Sequence, residues 1–190
     1  MSHIGGGNCH NISLSRVKAR PDNPSACIMG IEIERKFLVR NTDWKTLVAA
    51  SHSCTQGYIA LEGSGSVRVR VLGNKGFLTL KGPRIGLRRT EFEYEIPKAE
   101  AEVLLESFCD EAHISKIRHE VNYGGNVWEI DEFTGENAGL TLAEVELDQE
   151  DQSVSLPDWI GKEVSEDERF FNARLARHPI TTWLAKPDND

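Results

Sequence analysis

The chain has 190 residues, 39% of them hydrophobic and 27% charged, which describes one globular domain able to bury a core and excludes a collagen-like, disulfide-stapled or wholly disordered chain. Lys and Arg number 22 against 30 Asp and Glu, a formal net charge of −8, so binding to nucleic acid or to an anionic membrane through a basic surface is not expected. The four cysteines stand apart from one another and from any histidine at metal-ligand spacing, which reads as free thiols in a reducing, cytoplasmic setting.

Residues 1–28 carry a glycine run and scattered polar residues without helical or strand period, and read as a disordered N-terminal extension. No apolar run there has the length of a secretory signal. Met29 directly precedes the first strand pattern and reads as a natural start, so residues 29–190 are expected to form the folded domain.

From Ile31 onward the dominant period is two. Ile31 to Val39 alternates, with Glu32, Glu34 and Lys36 on one face and Ile31, Ile33 and Phe37 on the other. Thr42 to Ala50, after an Asn/Thr cap signal, reads as a helix. Gln56 to Leu61 reads as a strand, and Val67 to Val71 as another that carries Arg68 and Arg70 on one face. The Gly73–Gly76 turn then connects to Gly76–Lys81 as a hairpin, and Arg89 to Ile96 aligns Arg89, Glu91, Glu93 and Glu95 before Pro97 stops it. Lys98 to Cys109 reads as a helix. Three further strands follow: Ser115–Tyr123 with Lys116 and Arg118, Val127–Phe133 with Glu129 and Asp131, and Leu140–Leu147 with Glu144 and Glu146. A last helix is expected over Glu166–Ala185.

About eight strands with charge on one face could simply turn that face to water. Segregation argues otherwise, because basic pairs sit on some strands and acidic pairs on others, whereas like charges at i,i+2 repel and a face selected for solubility mixes signs. Carboxylate pairs without histidine or thiolate suit a hard divalent cation, Mg2+ or Mn2+, and paired Arg and Lys suit phosphoryl oxygens. Gly63-Ser64-Gly65-Ser66 lacks the Lys-Ser/Thr of a P-loop, and no Ser or Cys nucleophile arrangement is present, so water or a substrate hydroxyl is the expected attacking group.

Glu32-Ile33-Glu34-Arg35-Lys36 resembles the ExExK signature of the CYTH superfamily, the triphosphate tunnel metalloenzymes, in its short single-domain bacterial branch. Later matches keep the family's order: Gln56-Gly57-Tyr58, Arg68-x-Arg70, Leu78 to Lys81, Arg89-x-Glu91-x-Glu93, Lys116-x-Arg118, Glu129-Ile130-Asp131, Glu144-Val145-Glu146 and Gly161 to Asn172. The resemblance spans residues 29–178. His119 and Phe170 stand where related chains often carry Tyr.

The resemblance implies an α+β fold in which a closed eight-stranded antiparallel β-barrel forms a charged tunnel with helices packed outside. It implies a metal site of Glu32, Glu34, Glu144 and Glu146, with Glu91, Glu93 and Asp131 as further metal ligands or as carboxylates that orient the basic residues. It implies a triphosphate clamp of Arg68, Arg70, Lys81, Arg89, Lys116 and Arg118, with Arg169 closing one tunnel end, and catalytic roles for Lys36 and Glu34. The implied activity is metal-dependent hydrolysis of a small triphosphate, foremost inorganic tripolyphosphate, in a chain that binds neither nucleic acid nor membrane and is compatible with a homodimer. A class IV-type adenylate cyclase, a thiamine triphosphatase and a non-hydrolysing polyphosphate or nucleotide sensor are the alternatives.

Overall fold

The computed structural model describes residues 28–59, 65–109 and 113–183. Residues 1–27, the Gly63-Ser64 portion of the glycine–serine segment, Ala60 and Leu61, and the final residues from Leu184 lie outside them, as do the expectations attached to each.

Among the described residues nine antiparallel strands make one sheet: β1 Ile28–Val39, β2 Val48–Ile59, β3 Ser66–Leu72, β4 Lys75–Ile85, β5 Arg88–Ile96, β6 Ile114–Tyr123, β7 Asn126–Phe133, β8 Thr141–Glu146 and β9 Ile160–Glu163. The order is β5-β4-β3-β2-β6-β7-β8-β1-β9, and β5 also pairs with β1, which closes the first eight strands into a barrel. Closure follows from β1 being long enough to serve two neighbours. Its residues 28–33 pair with β5 and its residues 34–38 with β8. Tight glycine turns make the hairpins, with Gly124 and Gly125 both at positive φ (58° and 79°) between β6 and β7, a conformation that suits a two-residue hairpin loop.

The apolar core lies outside the barrel wall. Outward residues of β1, β6, β7 and β8 (Ile33, Phe37, Val121, Trp128, Ala143, Val145) pack under Trp44, Trp159 and Ile160. The helix α1, Lys98–Phe108, covers β3 and β4 by laying Ala101 and Leu105 on Val69. That approach is so close that a Cβ on Gly76 would sit 2.7 Å from the Ala101 Cβ. None of the described helices is long and apolar enough to cross a membrane.

Inward residues are charged along most of the barrel and become apolar at one end. There Tyr58, Ile114, Phe133 and Leu142 meet Phe170, Leu175, Ala176 and Ile180 of the C-terminal segment, which stoppers the barrel. Asn137, itself buried, pins this stopper by accepting from Ile180 N (2.8 Å) and donating to Leu175 O (3.2 Å).

Two local expectations are corrected, and one strand is added. Thr42–Ala50 is not a helix: Asp43–Leu47 forms one short 3-10 turn, and the strand β2 already begins at Val48. Pairing of Val48 with Val121 and of Ala50 with Glu120 captures these residues, so tertiary pairing overrides the local helix signal. The outer wall here is tied by His119, whose Nδ1 meets Ser51 Oγ at 2.8 Å and whose Nε2 meets Glu132 at 3.0 Å, so it plays no part inside the barrel. The C-terminal helix is broken into a 3-10 turn at Glu168–Phe170, α2 at Asn172–Arg177 and another 3-10 turn at Ile180–Thr182. Phe171 takes extended backbone angles between the first two, and Pro179 stands between the last two, where its ring disfavours helix continuation. The strand β9 was not foreseen, because four residues are too few to show a period; it pairs with β1 through Phe37–Glu163 and Val39–Ile160.

Candidate active site

The barrel encloses a cavity of about 670 Å3. Period two predicts which side chains reach it, and the structure places Glu32, Glu34, Lys36, Arg68, Arg70, Lys81, Arg89, Glu91, Glu93, Arg118, Glu144 and Glu146 on its wall. Strand pairing sets their order. Glu34 lies directly opposite Glu146 and Lys36 opposite Glu144 in the β1–β8 register, while Glu32 lies opposite Arg89 in the β1–β5 register. The backbone of Lys36 is fixed from behind, because its N–H donates to Ser165 Oγ (2.9 Å) and its carbonyl accepts from Val164 N (2.8 Å).

The charges interlock. Arg68 and Arg70 each reach Glu93 at 3.0 Å, and Thr79 Oγ1 donates to the same carboxylate at 2.7 Å. Lys81 bridges Glu91 (2.7 Å) and Glu32 (3.3 Å), and Arg89 Nε donates to Glu32 at 2.5 Å. Lys36 Nζ sits 2.7 Å from Glu144 and 3.7 Å from Glu34. Arg118 grips Asp131 through two nitrogens (2.8 and 2.7 Å), touches Glu129, and reaches Glu144 at 3.0 Å.

Burial and charge tune these groups against each other. Burial pulls the Lys36 ammonium down, but Glu144 and Glu34 outweigh it and hold it up to about 12, which favours the charged form. Burial pushes Glu32 up, yet Lys81 and its other partners keep it well below the usual carboxylate range. Its neighbour Glu91 goes the other way, pushed up to about 7 by burial and by the hydrogen bond it shares with Glu32. On the basic wall, burial and the adjacent Arg68 press Lys81 and Arg70 down. Cations crowded this way gain when a polyanion arrives among them.

Three residues expected in the site are placed elsewhere. Arg169 is exposed, points along the stopper and pairs with Asp167 (2.7 Å) over the Trp183 ring, so it does not reach the cavity. Lys116 and Asp131 are fully enclosed beneath the cavity floor, paired with each other. Asp131 does not line the cavity, and its two oxygens meet Lys116 and Arg118, where it orients both cations from behind the wall. Lys116 also donates to Asn172 Oδ1 (3.3 Å) and so supports the floor without lining it.

Other lining residues had no role assigned from sequence. Phe171 and Asn172 enter from the stopper, a placement that no strand period announces. Glu129 and Tyr58 share lumen parity with assigned neighbours, a signal that was legible. The Tyr58 hydroxyl accepts from the buried Gln56 amide (2.8 Å), and burial pushes its phenol up to about 12.

The donor set suits a hard divalent cation. Glu34 and Glu146 face each other across adjacent strands, where like charges destabilise unless a cation lies between them, and both offer hard carboxylate oxygens. Among the described residues no three acidic, His or Cys side chains form a ready cage. A cation of the Mg2+ type fits such a site, since it commonly takes one or two carboxylates and completes its shell with waters and phosphate oxygens. Among the described residues seven cationic and eight acidic side chains line the cavity, so their charges nearly cancel and a triphosphate would enter with its charge largely uncompensated unless cations came with it.

The CYTH domain family profile matches residues 30–176. An inorganic triphosphatase of Acetivibrio thermocellus is 47% identical over 155 residues, covering 82% of this chain and 99% of that protein. An inorganic triphosphatase of Nitrosomonas europaea is 37% identical over 149 residues, covering 76% and 96%. A crystal structure of an inorganic triphosphatase superposes with a TM-score of 0.57 at 34% identity, over 76% of this chain and 93% of the other. With its signature strands arranged around one charged lumen, the chain belongs to the CYTH domain family.

Proposed function

We propose that the chain is a metal-dependent triphosphatase whose substrate is inorganic tripolyphosphate, cleaved by water inside the barrel. The observation that carries this is one stoppered lumen in which the basic side chains of β3 and β4, with Arg89 and Arg118, share a cavity with the carboxylates of β1 and β8. The relatives named inorganic triphosphatase support the same substrate class.

Arg68, Arg70, Lys81, Arg89 and Arg118 bind and align the phosphoryl oxygens, exchanging carboxylate partners for phosphate as the chain enters. Glu34 and Glu146, with Glu32 and Glu144 beside them, would hold Mg2+ or Mn2+. Such a cation neutralises phosphoryl oxygens and lowers the pKa of bound water. Lys36, a fixed ammonium, places positive charge where negative charge grows as the phosphoanhydride bond breaks. The apolar stopper fills one end of the barrel, so the substrate would enter from the other end.

The test is a turnover panel of tripolyphosphate, ATP and thiamine triphosphate with Mg2+ or Mn2+, analysed for phosphate and for cyclic nucleotide. Tripolyphosphate is expected to turn over fastest, with phosphate as product and strict need for the cation. Glu34→Gln and Glu146→Gln are expected to lower kcat by at least about a hundredfold without unfolding the barrel. Cyclic AMP as the main product would replace the proposal with a cyclase, and full activity in either variant would remove the carboxylate pair from the metal site.

A further inference from the structure

The β4–β5 hairpin carries a feature that period two hides. Lys81 lies opposite Glu91, but three residues later Arg84 lies opposite Arg89, two residues before Glu91, so the register slips by one at Gly82-Pro83. This is a β-bulge, with the extra residue on β4. Without it, Arg84 would share the outward face of Leu80. With it, Arg84 shares the face of Arg89, Glu91 and Lys81 and lines the cavity. Pro83 costs no ladder hydrogen bond where pairing is already interrupted.

Once inside, Arg84 differs from every other cation there. Lys36, Arg68, Arg70, Lys81, Arg89 and Arg118 each hold a carboxylate partner at 3.0 Å or less. Arg84 has no carboxylate partner among the described residues. Its Nε donates to Gly86 O at 2.8 Å, its guanidinium lies 5.0 Å from the Phe171 ring centre, and its Nη2 is buried without a hydrogen-bond partner. A buried, charged donor left unsatisfied is costly, and a like charge stands across the strand pair at Arg89. Both penalties disappear when an anion sits between the hairpin and the stopper. The stacking on Phe171 and the bond to Gly86 hold the guanidinium plane ready, so little side-chain entropy is lost on binding.

We propose that Arg84 is a further phosphate-binding residue of this cavity, swung into the lumen by the bulge at Gly82-Pro83 and braced on Phe171 to grip a phosphoryl group at the stopper end. The assignment rests on the triphosphatase function proposed above. Because Arg84 breaks no ion pair among the described residues to bind, it offers the inner end of the bound polyanion a cation that is not already committed to a carboxylate. The effect is on ground-state and transition-state binding alike, hence on KM more than on kcat.

The experiment compares wild type, Arg84→Gln, Arg84→Lys and Arg88→Gln, using sodium tripolyphosphate as probe. Arg88 is the control on the same hairpin, an exposed residue 3.4 Å from Glu150. Steady-state kinetics are read with Mg2+, and affinity is read by calorimetry with and without Mg2+. Arg84→Gln is expected to raise KM and Kd about tenfold, the loss of one charge-assisted hydrogen-bonding group, with kcat within about threefold. Arg84→Lys should recover part of that loss, and Arg88→Gln should match wild type. Thermal unfolding without ligand should differ little between Arg84→Gln and wild type, while stabilisation by tripolyphosphate shrinks. Equal affinities of wild type and Arg84→Gln would overturn the assignment. A wild type that binds tripolyphosphate without hydrolysing it would overturn the proposed activity and leave the affinity comparison to decide Arg84.

Discussion

Replacing Asp131 by Asn separates a structural carboxylate from a metal-binding one. Asp131 and the Lys116 side chain are both fully enclosed, and the Arg118 side chain is 8% exposed. The substitution keeps the shape but removes the single negative charge that Lys116 and Arg118 share at the floor. Removing one partner of a buried ion pair costs roughly 3–5 kcal/mol, and an isosteric amide that still accepts one hydrogen bond belongs at the lower end, about 3 kcal/mol. For a chain of this size each kcal/mol moves Tm by about 2–4 °C, so a fall of about 10 °C is expected. The companion measurement is the Mg2+ concentration giving half-maximal activity, which should stay within about twofold because the carboxylates on β1 and β8 are untouched. Acid supplies a second check. Burial pushes Asp131 up, but Arg118 and Lys116 outweigh it and hold it below its ordinary value of 3.8. A carboxylate whose pKa is depressed by folding stabilises the native state above its unfolded value and loses that contribution as pH falls through the folded one. The stability gap between wild type and Asp131→Asn is therefore expected in full at pH 7 and to narrow below pH 3.8. An unchanged Tm with a tenfold higher Mg2+ requirement would refute the structural role and return Asp131 to the metal site.

Lys36→Met should lower kcat by about a hundredfold or more, since it removes charge stabilisation at the reacting phosphate, and Lys36→Arg should retain more of it; a pH–rate profile with a Lys36 limb below about pH 10 would contradict the fixed ammonium. Arg169→Gln is expected to leave the tripolyphosphate KM unchanged, because its guanidinium is committed to Asp167 outside the cavity, and a severalfold rise in KM would place it back at the tunnel end. Removal of residues 1–27 should change neither Tm nor kcat/KM, consistent with a family match that begins at residue 30; loss of activity on truncation, measured on the purified shorter chain, would show a functional extension.

Period two decided much of this protein in advance, for a simple reason. In a barrel whose lumen binds ions, alternate residues meet either solvent-filled space or the outer core, so Glu32, Glu34 and Lys36 separate from Ile33 and Phe37 in the sequence itself. The same alternation on β3, β5 and β8 marked Arg68 and Arg70, Glu91 and Glu93, and Glu144 and Glu146, and all of them line one cavity. Where the backbone leaves that period, only the tertiary structure decides. The β-bulge at Gly82-Pro83 exchanges inside and outside for Arg84, and β9 exists because β1 offers it an edge. The stopper is the same kind of case. Its three short turns are set by Phe171, Pro179 and the apolar barrel end they cover, and that arrangement carries Arg169 away from the substrate while Phe171 and Asn172 become the floor. Alternation records which face of a strand a residue occupies, a local quantity, whereas register slips, edge pairings and end caps depend on partners distant in sequence.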